Sequence, residues 1–135
     1  STVCTVDECE PDRTFGFDTA RRMLDQGFPP DVISSDVHVG SIVRPAENVL
    51  VTMSKFLCLG MSLADVIKAS TSDAAFALKR PELGSLKPGS VGDATILSVD
   101  SGTFYYVDVT GEHLTGNSRI HSRGVVIAGK WWWPD

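Results

Sequence analysis

The chain has 135 residues, enough for one domain with a hydrophobic core, but this length excludes a complete (β/α)8 barrel, which needs about 250 residues. Hydrophobic residues make up 42% and charged residues 21% of the chain, as is typical of a globular protein. The net charge of −5 and the scattered basic residues argue against nucleic acid as a partner. No apolar run approaches the length of about 20 residues that spans a bilayer, which argues against a membrane.

The first part of the chain predicts a strand, a helix and a second strand. A weak alternation predicts a strand at residues 2–6. Apolar residues recur at helical spacing over residues 17–24, and Gly27 is expected to end this helix. Two prolines then set the chain extended, and the apolar run at residues 32–35 predicts the next strand. This order is that of a parallel crossover unit, so we expect an α/β fold.

Helices are predicted in tandem after this unit. Pro45 suits the first turn of a helix that reaches Leu59. Ser62 opens a second helix, because an acidic residue three positions later completes a pattern like a capping box. Ser72 opens a third, short helix that runs to Leu78.

The apolar period changes from helical to strand-like after residue 83. A turn-rich stretch comes first, and we predict a hairpin turn near residues 100–102. The predicted strands cover residues 94–99, 103–109 and 125–128. The chain therefore divides into two predicted segments, residues 1–83 and residues 84–135.

Asp36 is the strongest candidate for a functional residue. It follows the predicted strand at residues 32–35, and the C-terminal ends of buried parallel strands open onto the ligand crevice of α/β enzymes. A carboxylate there can bind a divalent cation and accept a proton from bound water, or it can serve as a turn or helix cap. His38 lies on the same face if the strand continues, and is either substrate-facing or solvent-exposed.

The other polar candidates leave a metal site incomplete. Arg13 and Arg44 could each hold a carboxylate substrate by a forked pair of hydrogen bonds, or solvate a rim. The acidic loop at residues 8–12 is either a solvated loop or part of the same crevice, and His113 and His121 are expected at the surface. A divalent metal normally takes at least three protein ligands, and this chain offers one good candidate and two doubtful ones. Three cysteines without a C-x-x-C pair favour reduced thiols in a cytoplasmic protein.

Three ordered motifs resemble the C-terminal part of the amidohydrolase superfamily, and above all its dihydroorotase-like deacetylase branch. They are QGFPPDVISSDVH at residues 26–38, TMSKFLCLGM at 52–61 and GSLKPGSVGDA at 84–94. The resemblance implies the last strands and helices of a TIM-type (β/α)8 barrel, units 7 and 8 plus extra helices, followed by strands of a small β-sandwich. It also implies that Asp36 ends the eighth barrel strand, ligates a divalent metal such as zinc, and acts as general base to the attacking water.

The departures from the family pattern imply an incomplete barrel. The family's H-x-H pair and its other metal ligands lie upstream of anything present here, so this chain looks like the last quarter of such an enzyme. The resemblance implies a segment of a hydrolase that cleaves amide or other C–N bonds of a small molecule. We expect it to be inactive alone, with the metal held only after a missing N-terminal barrel segment or another copy completes the site. The alternative is a non-catalytic interaction or regulatory module that retains the remnant fold.

Overall fold

The computed structural model describes residues 16–35, 48–108 and 110–132. These residues form helices followed by a three-stranded antiparallel sheet in the order β1-β2-β3. The helices are α1 (Phe17–Asp25), α2 (Val49–Cys58), α3 (Leu63–Ser70) and α4 (Ser72–Ala77), and a 3-10 turn covers Pro81–Gly84. The strands are β1 (Ala94–Val107), β2 (His113–Ile127) and β3 (Lys130–Trp132). The predicted strand at residues 2–6 lies outside the described residues.

Helix α1 forms where the apolar spacing predicts it. Phe17 and Ala20 are buried, while Asp18 and Arg22, one turn apart on the exposed face, form an ion pair of 2.9 Å. Gly27 ends the helix as expected, because its φ of +79° lies in the left-handed region that favours glycine.

The prediction of a strand at residues 32–35 is not met within the described residues. Ile33 is buried, but its backbone N–H donates to the carbonyl of Ala69 at 3.2 Å rather than to a neighbouring strand. A strand exists only with a hydrogen-bonded neighbour, and the described ranges supply no strand that pairs with these residues. Residues 32–35 are therefore not a strand in the described structure, and Ile33 is bonded to α3 instead.

Polar side chains cap the first turns of α2 and α3. Pro45, the predicted start of α2, lies outside the described residues. The described helix begins at Val49, and the side chain of Asn48 accepts a hydrogen bond from Val51 N at 3.1 Å. The predicted cap of α3 is confirmed, because Ser62 Oγ accepts from Asp65 N at 3.1 Å and donates to Asp65 Oδ2 at 2.7 Å. Helix α4 opens at Ser72 as predicted.

The predicted hairpin turn near residues 100–102 is wrong. Strand β1 continues through it, with an irregularity in register between Ser101 and Phe104 that accommodates the turn-like residues. The turn follows Val107 instead, and β2 begins at His113. Sequence patterning missed most of β2 because its first two-thirds is largely polar, and it recognised only the apolar end near residues 125–127.

One hydrophobic core joins the helices to the sheet. Its buried members come from α1, the stretch after it, α2, the α2–α3 loop, α3 and β2: Ala20, Ile33, Met53, Phe56, Met61, Val66, Ala69 and Ile120. Ser54 on α2 strengthens this junction, since its Oγ accepts a hydrogen bond from Ile120 N at 2.9 Å. The described fold is thus mixed α and β, while the barrel assignment and the boundary at residue 83 stay predictions. Helices long and apolar enough to cross a lipid bilayer do not occur among the described residues.

Candidate functional site

The stretch that leads to Asp36 is anchored at the end of α1 and again at Ile33. At the end of α1, Phe28 N donates to Met23 O at 2.8 Å, which closes the helix, and Pro30 is buried. Ile33 then packs in the core and bonds to α3, as described above. Ser35, the last described residue before Asp36, is exposed. The core therefore fixes the backbone as far as Ile33, three residues before the candidate carboxylate.

The predicted site residues themselves lie outside the described ranges. This holds for Asp36, His38 and Arg44, and for Arg13 and the acidic loop at residues 8–12. Their mutual geometry therefore stays a prediction. Within the described ranges, no group of three histidine, cysteine or acidic side chains could hold a metal ion.

A buried carboxylate that sequence reasoning missed lies at the turn between β1 and β2. Asp108 is 7% exposed, and its Oδ1 accepts hydrogen bonds from Thr110 N at 2.8 Å, Thr110 Oγ1 at 2.7 Å and Glu112 N at 2.9 Å. Its Oδ2 accepts from Phe17 N, at the start of α1, at 2.9 Å. Burial alone would raise the pKa of this carboxyl, but the hydrogen bonds to Thr110, Phe17 and Glu112 outweigh it and lower the pKa below its usual value.

The turn itself left a signal in the sequence. Aspartate at the first position and glycine at the fourth are typical of a β-turn, and Gly111 N donates to Asp108 O at 3.1 Å. Gly111 has a φ of +83°, which favours glycine. The bond to Phe17 left no such signal, because the two residues are 91 positions apart.

Lys55 contacts the residue before Asp108 and joins the same elements. It is 5% exposed, and its Nζ donates to Val107 O at 2.9 Å. The same Nζ lies 5.6 Å from the centroid of the Phe17 ring, within the range of a cation–π contact. Helix α2 is therefore linked by one side chain to both the β1–β2 turn and the first residue of α1.

A second polar cluster lies along the pair of β1 and β2. Arg123 Nη2 donates to both carboxylate oxygens of Asp100 at 3.0 and 2.9 Å, and Ser98 Oγ donates to the same carboxylate at 3.1 Å. His121 Nε2 lies 3.5 Å from Asp100 Oδ2. The Asp100 carboxylate accepts hydrogen bonds from the Arg123 guanidinium and the Ser98 hydroxyl. The cluster therefore links the two strands, and its carboxylate is not a free base. Both histidines were predicted at the surface. His113 is exposed, and His121 is half-buried beside Asp100.

A cavity of about 350 Å³ opens beside Cys58, at the irregular part of β1. Its lining consists of Cys58 and five residues of the sheet: Gly102, Thr103, Thr115, Gly116 and Asn117. The thiol donates to Ser118 O at 3.3 Å and contacts the backbone at Gly116. Cys58 therefore packs between α2 and the sheet, and the described residues that line the cavity include no carboxylate, imidazole or amine.

Comparison with known proteins relates the fold to one group of enzymes. A sequence model of the amidohydrolase family matches residues 13–131. A deacetylase of Brucella anthropi is 29% identical over 117 residues, which cover 87% of this chain and 29% of that protein. The crystal structure of an adenine deaminase superposes with a TM-score of 0.83 at 22% identity, over 89% of this chain and 33% of that chain. A dihydroorotase structure gives a TM-score of 0.79 at 25% identity, over 88% and 33%. The chain thus spans about a third or less of each of these proteins.

Proposed function

Because this chain belongs to the amidohydrolase family, we propose that it is the C-terminal segment of a metal-dependent hydrolase that cleaves amide or related C–N bonds of a small molecule. The proteins to which the chain is similar support this reaction class, since they are described as a deacetylase, an adenine deaminase and a dihydroorotase. The observation that supports the proposal is the anchoring of residues 30–33, just before Asp36 in the chain. Pro30 and Ile33 are buried and Ile33 N is bonded to α3, while the serines that follow are exposed.

Asp36 takes the central role in this proposal. Its carboxylate would be one ligand of a divalent metal such as zinc and would accept a proton from water, while His38 and Arg44 would contact the substrate. A bound metal would supply polarisation of the water and of the scissile carbonyl group. Within the described ranges no group of side chains could hold a metal ion, and we propose that the remaining ligands come from other polypeptide.

The surface of the described fold supports assembly with such a polypeptide. Strand β1 is an edge strand, and within the described ranges no strand pairs with its outer side. Ile96 and Tyr105 on this strand are exposed, and so are Trp131 and Trp132 on the opposite edge. Unpaired edges and exposed aromatic side chains favour association. We therefore propose that a missing barrel segment or another copy of the chain covers them, and that the chain is inactive alone.

Complementation tests the proposed function. The region of the Brucella anthropi deacetylase that this chain matches is removed and replaced by this chain, and deacetylation is measured. We expect Asp36→Asn to lower kcat by on the order of 10²–10⁴-fold, because the ligand and base would be lost together, while circular dichroism stays unchanged. Asp31→Asn is the matched control, since Asp31 is exposed five positions earlier, and it should retain activity.

The alternative of a non-catalytic module predicts a different pattern. A folded chimera in which Asp36→Asn and Asp31→Asn have equal activity would refute the catalytic assignment. The matched comparison separates loss of a reacting group from a general effect of removing one negative charge.

A further inference from the structure

The start of α1 is capped from a distant part of the chain. The first amides of a helix have no partner within it and need an acceptor. Gly16 at the N-cap offers no side-chain acceptor, and Phe17 N donates instead to Asp108 Oδ2. A carboxylate at this end also interacts favourably with the helix dipole. The β1–β2 turn therefore caps α1.

The two oxygens of Asp108 serve different elements. Oδ1 accepts all three hydrogen bonds from the turn, and Oδ2 accepts the bond from α1. Phe17 is 1% exposed and packs under the Lys55 ammonium, which also binds the end of β1. These contacts form a buried joint, defined here as Phe17, Lys55 and Asp108.

The joint adds to the packing that places helix α1. Phe17 and Ala20 are its buried residues, and Leu24 packs against the core from a partly buried position, so the start of the helix is held mainly at Phe17. Its other end runs through Gly27 and Pro30 into the stretch bonded to α3. A shift at Phe17 would move the helix as a unit and pull on the residues before Asp36.

We propose that Asp108 is a positioning residue, which holds the N-terminus of α1 against the β1–β2 turn and so, together with the bond of Ile33 to α3, sets the placement of residues 26–35 ahead of Asp36. The sheet thereby contributes to the site without touching substrate. This inference rests on the proposed function, since the placement matters for the reaction only if Asp36 takes part in it.

Asp108→Asn should break the hydrogen bond from Phe17 N and leave the hydrogen bonds from the turn in place. An asparagine has one acceptor oxygen, which the three donors of the turn would claim, and its NH2 group would then face the Phe17 N–H. Thr110→Ala is the matched control, because it removes one donor to Oδ1 and leaves Oδ2 with Phe17. By hydrogen exchange on the chain, we expect the Phe17 amide to exchange roughly 10- to 100-fold faster in Asp108→Asn and about as in the parent in Thr110→Ala.

Kinetics of the complemented chimera test the consequence for the site. At a temperature where both variants are folded by circular dichroism, Asp108→Asn should lower kcat about tenfold with KM nearly unchanged, and Thr110→Ala should stay within about twofold. A purely stabilising role would leave kcat per folded molecule unchanged. If Asp108→Asn does not fold, Asp108→Glu keeps the charge but displaces the oxygens, and it should show the same fall in kcat.

The outcomes distinguish this inference from the proposed function. Unchanged exchange at Phe17 in Asp108→Asn, or unchanged kcat despite faster exchange, overturns the positioning role while Asp36→Asn still abolishes activity. If Asp36→Asn retains activity in the same chimera, the proposed function fails first, and the positioning role fails with it even where exchange at Phe17 is faster.

Discussion

Replacement of Gly116 by alanine should destabilise the contact between β2 and α2. A Cβ atom at this position would lie 2.3 Å from Cys58 Sγ, 3.0 Å from Cys58 Cβ and 3.1 Å from Cε2 of the Tyr106 ring. The first distance is more than 1 Å below the separation of about 3.5 Å at which non-bonded heavy atoms attract. Cys58 cannot turn aside without losing its hydrogen bond to Ser118 O. We expect a loss of about 1–3 kcal/mol in the free energy of unfolding, as for other overpacked cores.

A double-mutant cycle identifies the atom responsible. Cys58→Ala alone should cost about 1 kcal/mol, because it removes the thiol and its hydrogen bond. The double variant lacks the clash with Sγ, so it should be less destabilised than the sum of the single variants by about 1 kcal/mol or more. Urea unfolding followed by circular dichroism and tryptophan fluorescence gives all four free energies.

Gly102→Ala provides the control for Gly116→Ala. A Cβ at Gly102 would meet only the Phe104 ring, at 3.4 Å, so we expect a change within about 0.5 kcal/mol. The steric argument is refuted if Gly116→Ala destabilises no more than Gly102→Ala, or if the cycle with Cys58 is additive.

Further predictions concern a close backbone approach, a helix cap and the buried carboxylate. Gly84→Ala should cost about 2–3 kcal/mol, because the new Cβ would lie 2.8 Å from Ala75 Cβ and 2.7 Å from the backbone of α4; an unchanged urea midpoint would contradict this. Ser62→Ala should cost about 1 kcal/mol by loss of its bond to Asp65 N, whereas Ser62→Thr should keep most of the stability. Asp108 has a pKa lowered from 3.8, so its contribution is complete above about pH 4 and lost as the pH falls through the lowered value. In Asp108→Asn the free energy of unfolding should therefore fall less steeply as the pH is lowered below about 4. An equally steep fall in the variant and the parent would refute this.

The candidate site was only partly predictable from sequence. Asp36 was singled out because it follows a short apolar run, and that run is indeed buried at Ile33. The joint around Asp108 was not found, since Phe17 and Asp108 are separated by 91 positions and neither residue type identifies the other as its partner. The burial of Lys55 was missed for a different reason, because a lysine inside an amphipathic helix is normally exposed.

Local features of the chain could be predicted from the sequence alone. Gly27, Gly60 and the Ser62 cap stand where helices end and begin, because positive φ values and side-chain bonds to nearby amides involve only a few adjacent residues. The extent of β1 and β2 and the state of residues 32–35 depended on long-range partners instead. A strand is defined by the chain beside it, and the hydrogen bonds between Asp108, its turn and α1 form only after distant segments have packed together.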